Sequence, residues 1–209
     1  NLIREHMSPP AGMMFYNSLE YVFNDINVIG YWSAIKRAWN ELKLDGVLCL
    51  DGRPVLYFKE HRRPFAVNER IRLQKLFWNQ GICNLLVLAD PTTVYIYSGL
   101  ETPPQEDKDT EVKKGLIEEL TLVEYVHRIK AMYHDLASGH YYETHYQKFD
   151  PEQSVDSWLL DNLKALRNAL TEGDKGLEIK DAHSFIGRIL FLCYLLDREI
   201  YSIGTPTPN

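Results

Sequence analysis

Residues 44–60 read LDGVLCLDGRPVLYFKE and predict a β-hairpin. Residues 46–50 form a short apolar run, Asp51-Gly52 is a strong two-residue turn signal, and residues 54–59 form the returning strand. Side chains two apart on one strand share a face. The open end of this hairpin therefore brings together an acid that precedes the first strand, Asp45, and a cation that ends the second, Lys59.

The flanking sequence predicts helices on both sides of the hairpin and two further strands. Apolar residues recur at helical spacing in residues 31–44 and in residues 67–80, and Gly81 is a natural stop for the second helix. Residues 84–89 and 93–98 are apolar, β-branched and aromatic, which is typical of strands. A hairpin followed by a helical crossover predicts a mixed sheet of class α/β, with α+β as the alternative.

Outside this region the pattern predicts an N-terminal arm and a C-terminal helical unit. Residues 1–14 are expected to be irregular, residues 14–25 have helical spacing, residues 101–111 form a polar loop, and residues 114–138 return to helix. Phe149-Asp150-Pro151 predicts a linker into two helices, over residues 155–170 and 181–196. We expect an α/β domain over residues 15–136 and a helical domain over residues 137–209.

Composition limits the class of protein, and the charges are distributed unevenly along the chain. The 209-residue chain carries a net charge of −6, yet residues 31–80 contain ten Lys and Arg against five Asp and Glu. Such a basic segment in an acidic chain suits phosphate binding, although solvated helix and turn cations would give the same count. No apolar run approaches the roughly 20 residues of a membrane span. Three cysteines in apolar runs, without a CxxC pair, predict buried thiols and a cytoplasmic location.

The hairpin spacing is that of metal-dependent nucleases of the PD-(D/E)XK type, with one departure. In that pattern two carboxylates hold Mg²⁺ and a lysine orients water and stabilises charge on phosphate. Asp45, Lys59 and Glu60 are the catalytic candidates here, with Asp45 and Glu60 as metal ligands. Tyr57 stands where the pattern requires an acid, and Glu60 would reach the site only through a bulge. The alternative is a simple turn with a cation at the strand end.

Residues 44–60 and the run RLQKLFWNQGICNLLVLADPTTVYIYSG at 72–99 resemble the N-terminal region of restriction–modification N6-adenine DNA methyltransferases of the type IIG-like kind. Residues 137–170 and 182–200 resemble the helical segment that leads to their methyltransferase domain. The resemblance implies a nuclease-like domain, with S-adenosylmethionine bound only in the later domain. This chain contains no Asn-Pro-Pro and no Gly-x-Gly, so we expect no methylation by it alone.

Two functions follow from this resemblance. In the first, the chain contacts double-stranded DNA through Arg62, Arg63, Arg70 and Lys75, and cleaves it only if Mg²⁺ binds. In the second, the chain is a non-enzymatic scaffold that holds the methyltransferase domain against other restriction–modification subunits. Neither function requires a membrane.

Overall fold

The computed structural model describes residues 9–104, 113–173 and 176–197. They form a six-stranded sheet with helices on both faces, followed by further helices, which confirms the expected mixed α/β class. The strands are β1 (Met13–Tyr16), β2 (Gly46–Leu50), β3 (Arg53–Glu60), β4 (Leu85–Ala89), β5 (Thr93–Ser98) and β6 (Leu116–Thr121). The α-helices are α1 (Leu19–Asn24), α2 (Trp32–Leu42), α3 (Val67–Trp78), α4 (Leu122–Ser138), α5 (His140–Thr144), α6 (Val155–Thr171) and α7 (Ile179–Asp197).

The predicted hairpin is confirmed, and its turn has the backbone that its sequence favours. Asp51 and Gly52 both have positive φ, 47° and 78°. A two-residue turn with these angles matches the right-handed twist of the two strands that it joins. Glycine is also needed at position 52 for space, because a Cβ there would lie 2.3 Å from the Asn27 carbonyl oxygen. The register pairs Gly46 with Phe58, with an irregularity between Leu48 and Cys49.

The strands follow one another across the sheet in chain order, and one neighbouring pair is parallel. β3 and β4 run parallel because α3 carries the chain back between them, and every other pair is antiparallel. The sheet is buried on both sides. One side, the α3 face, packs residues such as Val47, Tyr57 and Leu86 against α2 and α3. The other, the α4 face, packs Phe58 and Ile96 among others against α4 and α5.

The two edge strands, β1 and β6, lie where the sequence pattern predicted an irregular arm and a helix. Met13 and Met14 belong to β1 rather than to an irregular arm, and helix α1 begins only at Leu19, after the Ser18 cap. Residues 116–121 form β6 rather than the start of a helix. The helix begins at residue 122, where Thr121 and Glu124 form a capping box.

The chain divides into two units, residues 1–157 and 158–209. The sheet lies in the first unit, and the second contains most of α6 and all of α7. Cys49 and Cys83 are buried as expected, but Cys193 is exposed, since α7 is covered on little of its surface. None of the helices in the described ranges combines the length and the apolar run that a bilayer crossing requires.

Candidate functional site

Asp45 and Lys59 lie on the same face of the sheet, directly across the hairpin from each other. The register that pairs Gly46 with Phe58 continues to Asp45 and Lys59, and the Asp45 N–H donates to the Phe58 carbonyl at 2.9 Å. Alternation places both side chains on the α3 face, with Val47 and Tyr57. The structure therefore brings together the acid and the cation that the sequence singled out.

The Asp45 carboxylate closes the open end of the hairpin. Its Oδ2 accepts a hydrogen bond from the Glu60 backbone N–H at 2.8 Å, where the side chain is half-buried. This bond satisfies a backbone donor at the end of β3, next to the point where the chain leaves the strand. At least one oxygen of Asp45 thus has a structural role.

Lys59 reaches the end of helix α2. Its Nζ donates to the Lys43 carbonyl oxygen at 2.8 Å, one of the carbonyls that a helix C-terminus leaves without an intrahelical partner. Burial lowers the pKa of the Lys59 ammonium from its usual value, and the charges of Asp45 and Glu69 oppose that shift. The ammonium therefore binds the end of a helix, and the charges of two carboxylates favour its protonated form.

Tyr57 fills the position where a nuclease of this type carries its second acid. Its side chain is fully buried on the α3 face and packs edge-on against Phe77, with ring centroids 6.0 Å apart. Burial raises the pKa of the phenol well above its usual value, so it stays protonated at neutral pH. A buried neutral phenol is a poor ligand for Mg²⁺, which prefers charged oxygen atoms.

Glu60 does not supply the missing carboxylate. Alternation along β3 places it on the α4 face with Phe58, opposite to Asp45 and Lys59. Across the described ranges, no group of three or more His, Cys, Asp or Glu is arranged to hold a metal ion. The donors at this hairpin do not fit a magnesium centre, and Glu60 would need a bulge that β3 does not have at that point.

Four cations and two acids form one surface around Lys59, which we call the Lys59 patch. Lys43 and Arg72 are exposed, and their charges lower the pKa of Lys59, whereas the charges of the half-buried Asp45 and Glu69 raise it. Arg63 joins the patch through Glu69, at 3.7 Å, and its side chain is 70% exposed. Such an exposed ion pair is weak and leaves the guanidinium available to an anion.

The connection between β3 and α3 holds Arg62 and Arg63 at the surface. The His61 ring stacks on Phe65 with centroids 5.1 Å apart, and its Nδ1 contacts the Arg63 carbonyl at 3.0 Å. The buried Asp90 carboxylate accepts the Phe65 N–H at 3.2 Å, which ties the loop to the end of β4. Arg62 is exposed, so both arginines project from a braced turn.

The structure separates these arginines from the other two predicted DNA contacts. Arg70 donates to the Tyr97 hydroxyl at 3.1 Å, and its guanidinium carbon lies 4.1 Å from the centre of the Tyr95 ring. That side chain is half-buried and bound to the sheet, and Lys75 is half-buried with contacts of its own inside the protein. Their predicted role in DNA binding stays a prediction.

The sequence did not identify Lys43 and Arg72 as members of the site. Both belong to the basic segment 31–80, but neither occupies a position of the nuclease spacing. Arg72 follows Glu69 by three residues on a helix, and this spacing puts two side chains on neighbouring positions of one face. Lys43 was harder to predict. It follows the last residue of α2 and has a left-handed backbone, with φ of 54°, which no local sequence pattern indicates.

Comparison of the chain with protein-family models, with curated proteins and with solved structures yields no match. The class of the molecule therefore follows from its own architecture: a mixed α/β fold in which the β2–β3 hairpin carries a cationic patch at its open end.

Proposed function

We propose that the first unit binds double-stranded DNA through its phosphate backbone, as a nuclease-like domain of a restriction–modification methyltransferase that does not cleave. The observation that carries this proposal is the Lys59 patch. The resemblance of residues 44–60 and 72–99 supports the restriction–modification setting, which is a bacterial cytoplasmic one.

The charges of the patch suit a polyanion. Lys43, Lys59, Arg63 and Arg72 outnumber the two acids among them, and Arg62 lies next to Arg63 in the braced turn. Guanidinium and ammonium groups at a protein surface bind phosphate and release the counterions of the DNA. Contacts of this kind position a domain on the duplex but do not read its sequence.

Cleavage is left out of the proposal because the residues at the hairpin do not fit the metal that it requires. Asp45 accepts a backbone N–H, Tyr57 lies in the core and Glu60 is on the other face of the sheet. We expect the chain to leave a DNA duplex intact in about 10 mM Mg²⁺, a concentration that would fill a magnesium site with a dissociation constant of about 1 mM.

The salt dependence of DNA affinity tests the proposal. Each phosphate contact contributes about −0.9 to the slope of log K against log salt concentration, so Arg62→Ala with Arg63→Ala should make the slope less steep by about 1.8. Lys130→Ala is the matched control, because Lys130 is an exposed cation on α4, which covers the opposite face. Fluorescence anisotropy of a labelled duplex gives both slopes. Equal slopes for the double variant and the wild type would refute the proposal.

A scaffold role in the same system is a second candidate, favoured by the exposed apolar side chains of the second unit. Large apolar residues are about half exposed along α6 and α7, among them Trp158, Leu160, Phe185, Phe191 and Tyr194. Surfaces of this kind mark protein interaction sites in soluble proteins. A scaffold alone predicts that the arginine variants bind DNA as the wild type does, so the same experiment separates the two functions.

A further inference from the structure

Helices α6 and α7 pack on each other through apolar residues of the second unit. Leu163 on α6 and Ile186 on α7 line one groove along the helix pair, together with Leu160 and Leu190. Ile186 is 8% exposed, and Ala182, one turn earlier on the same side of α7, is fully buried. These positions identify the side of each helix that faces the other.

A second apolar surface, which we call the α6–α7 face, lies on the other side of this helix pair. Leu159 and Ile189 each precede a groove-lining residue by one position, and one position turns a helix by about 100°, past the line of contact. Leu166 repeats Leu159 two turns later, and Phe185, Ile189 and Leu192 follow the spacing of one helix side. All five side chains are between 40% and 47% exposed.

An acid and a cation lie at the outer edge of the α6–α7 face. Asp181 and Arg188 are both exposed, and they precede and follow Phe185 on α7 by four and three residues. That spacing places each of them beside Phe185. The two charges are seven residues apart, which is more than the three or four residues over which helix side chains pair. They are therefore positioned to pair with another molecule rather than with each other.

The order of these charges makes the α6–α7 face complementary to itself. In a two-fold symmetric interface, residue i of one copy meets residue j of the other, and j meets i. Two antiparallel α7 helices centred beside Phe185 place Asp181 opposite Arg188 of the second copy, and this pair occurs twice. The two Phe185 rings then lie next to each other near the centre. A parallel pair would instead place like charges opposite each other.

The width and area of the α6–α7 face suit the same arrangement. Two copies of the helix pair would form a four-helix bundle with antiparallel neighbours, which is a common architecture. The five half-exposed side chains leave on the order of 100 Å² each, or about 500 Å² of apolar surface per copy before the charged edge is counted. A standard interface buries about 800 Å² per partner, so this face suits a weak dimer that depends on concentration.

We propose that α6 and α7 form an antiparallel four-helix bundle with a second copy of this chain, joined by the α6–α7 face and by two ion pairs between Asp181 and Arg188. This dimer does not rest on DNA binding by the Lys59 patch, which lies in the first unit. It assigns part of the exposed apolar surface of the second unit to a second copy rather than to another subunit.

Sedimentation velocity of the full chain without DNA tests the dimer. Between about 2 and about 200 µM, the wild type should change from monomer to dimer, and a chain that stays monomeric at about 200 µM overturns the proposal. Phe185→Ser should raise the dissociation constant at least about tenfold. Phe191→Ser is the matched control, because Phe191 is 63% exposed and lies outside the α6–α7 face, so it should leave the constant unchanged. Equal effects of the two variants would also overturn the proposal.

Charge reversals test the antiparallel pairing. Asp181→Lys alone sets cation against cation and Arg188→Glu alone sets acid against acid, so each variant should dimerise at least about tenfold more weakly. An equimolar mixture of the two restores both ion pairs in a heterodimer and should sediment as a dimer. Lys180→Glu is the control, because this exposed cation shares a side of α7 with Phe191 and should not affect dimerisation. A mixture that stays monomeric, or single variants that dimerise as the wild type does, would overturn the proposal.

Discussion

Asp45 distinguishes a structural hairpin from a metal centre, because its replacement lowers stability regardless of Mg²⁺ in the first case and abolishes a Mg²⁺-dependent gain in stability in the second. Its carboxylate accepts the Glu60 N–H at 2.8 Å, and hydrogen bonds to charged groups contribute about 1.5–3 kcal/mol. Because the side chain is half-buried, Asp45→Ala should lower the free energy of unfolding by about 1.5 kcal/mol, the lower end of that range. For a chain of this size, this corresponds to about 3–6 °C in melting temperature.

Asp45→Asn keeps an acceptor oxygen and should lose less, about half of that value. Urea denaturation followed by tryptophan fluorescence measures both variants, and magnesium supplies the decisive comparison. A site with a dissociation constant of about 1 mM would be stabilised by about 1.4 kcal/mol in 10 mM Mg²⁺. We expect no such gain relative to NaCl of equal ionic strength. A gain of this size in the wild type that disappears in Asp45→Asn would refute the structural role.

Three further measurements test the packing around the candidate site. Tyr57→Phe should leave stability unchanged or raise it by up to about 1 kcal/mol, because the buried hydroxyl has no partner; a loss above 1 kcal/mol in urea would contradict this. Arg70→Leu should cost about 1.5–2 kcal/mol, since it removes the contacts with Tyr95 and Tyr97, while the salt slope of DNA binding stays that of the wild type. A steeply altered slope would instead make Arg70 a DNA contact. Finally, burial raises the pKa of several phenols in the folded protein above the value near 10 that they have in the unfolded chain. Below pH 10 these phenols are protonated in both states, so their stabilising effect is complete. Above pH 10 the unfolded chain loses these protons first, and the free energy of unfolding falls by about 1.4 kcal/mol per phenol and pH unit. Absorbance at 295 nm and circular dichroism should therefore change together on alkaline titration, and separate transitions would contradict the burial of Tyr57, Tyr125, Tyr133 and Tyr141.

Local signals predicted the centre of the sheet. The Asp51-Gly52 turn fixes the hairpin, since few residues other than glycine tolerate the positive φ that this turn requires. β4 and β5 were predicted because their residues are apolar on both faces, as in a strand between two helical layers. These features are encoded within ten residues or fewer.

The edge strands depend on pairing with distant residues, and the pattern missed them. β1 is four residues long and pairs with β2 across more than thirty residues of chain, so nothing local distinguishes it from a helix start. β6 contains two adjacent glutamates and is partly exposed, which hides the alternation of a strand. The Thr121-x-x-Glu124 capping box was the one local sign that the helix starts at residue 122.

The candidate site was also predicted only where local signals determine it. Hairpin register alone places Asp45 across from Lys59, so that pairing was predictable. The partners of Arg70 were not, because Tyr95 and Tyr97 reach it only after β5 has taken its place in the sheet. A count of cations along the chain does not show that Arg70 is bound to the sheet whereas Arg62 and Arg63 project from a turn.

Backbone amide shifts during titration with a short DNA duplex test the central claim most directly. We predict that the largest shifts fall in the Lys59 patch and the turn beside it, at residues 43, 59–63 and 72, and that they decrease as salt is added. Shifts that are absent at low salt, or that fall on α4 and α7 instead, would contradict the claim that this patch is the DNA-binding surface.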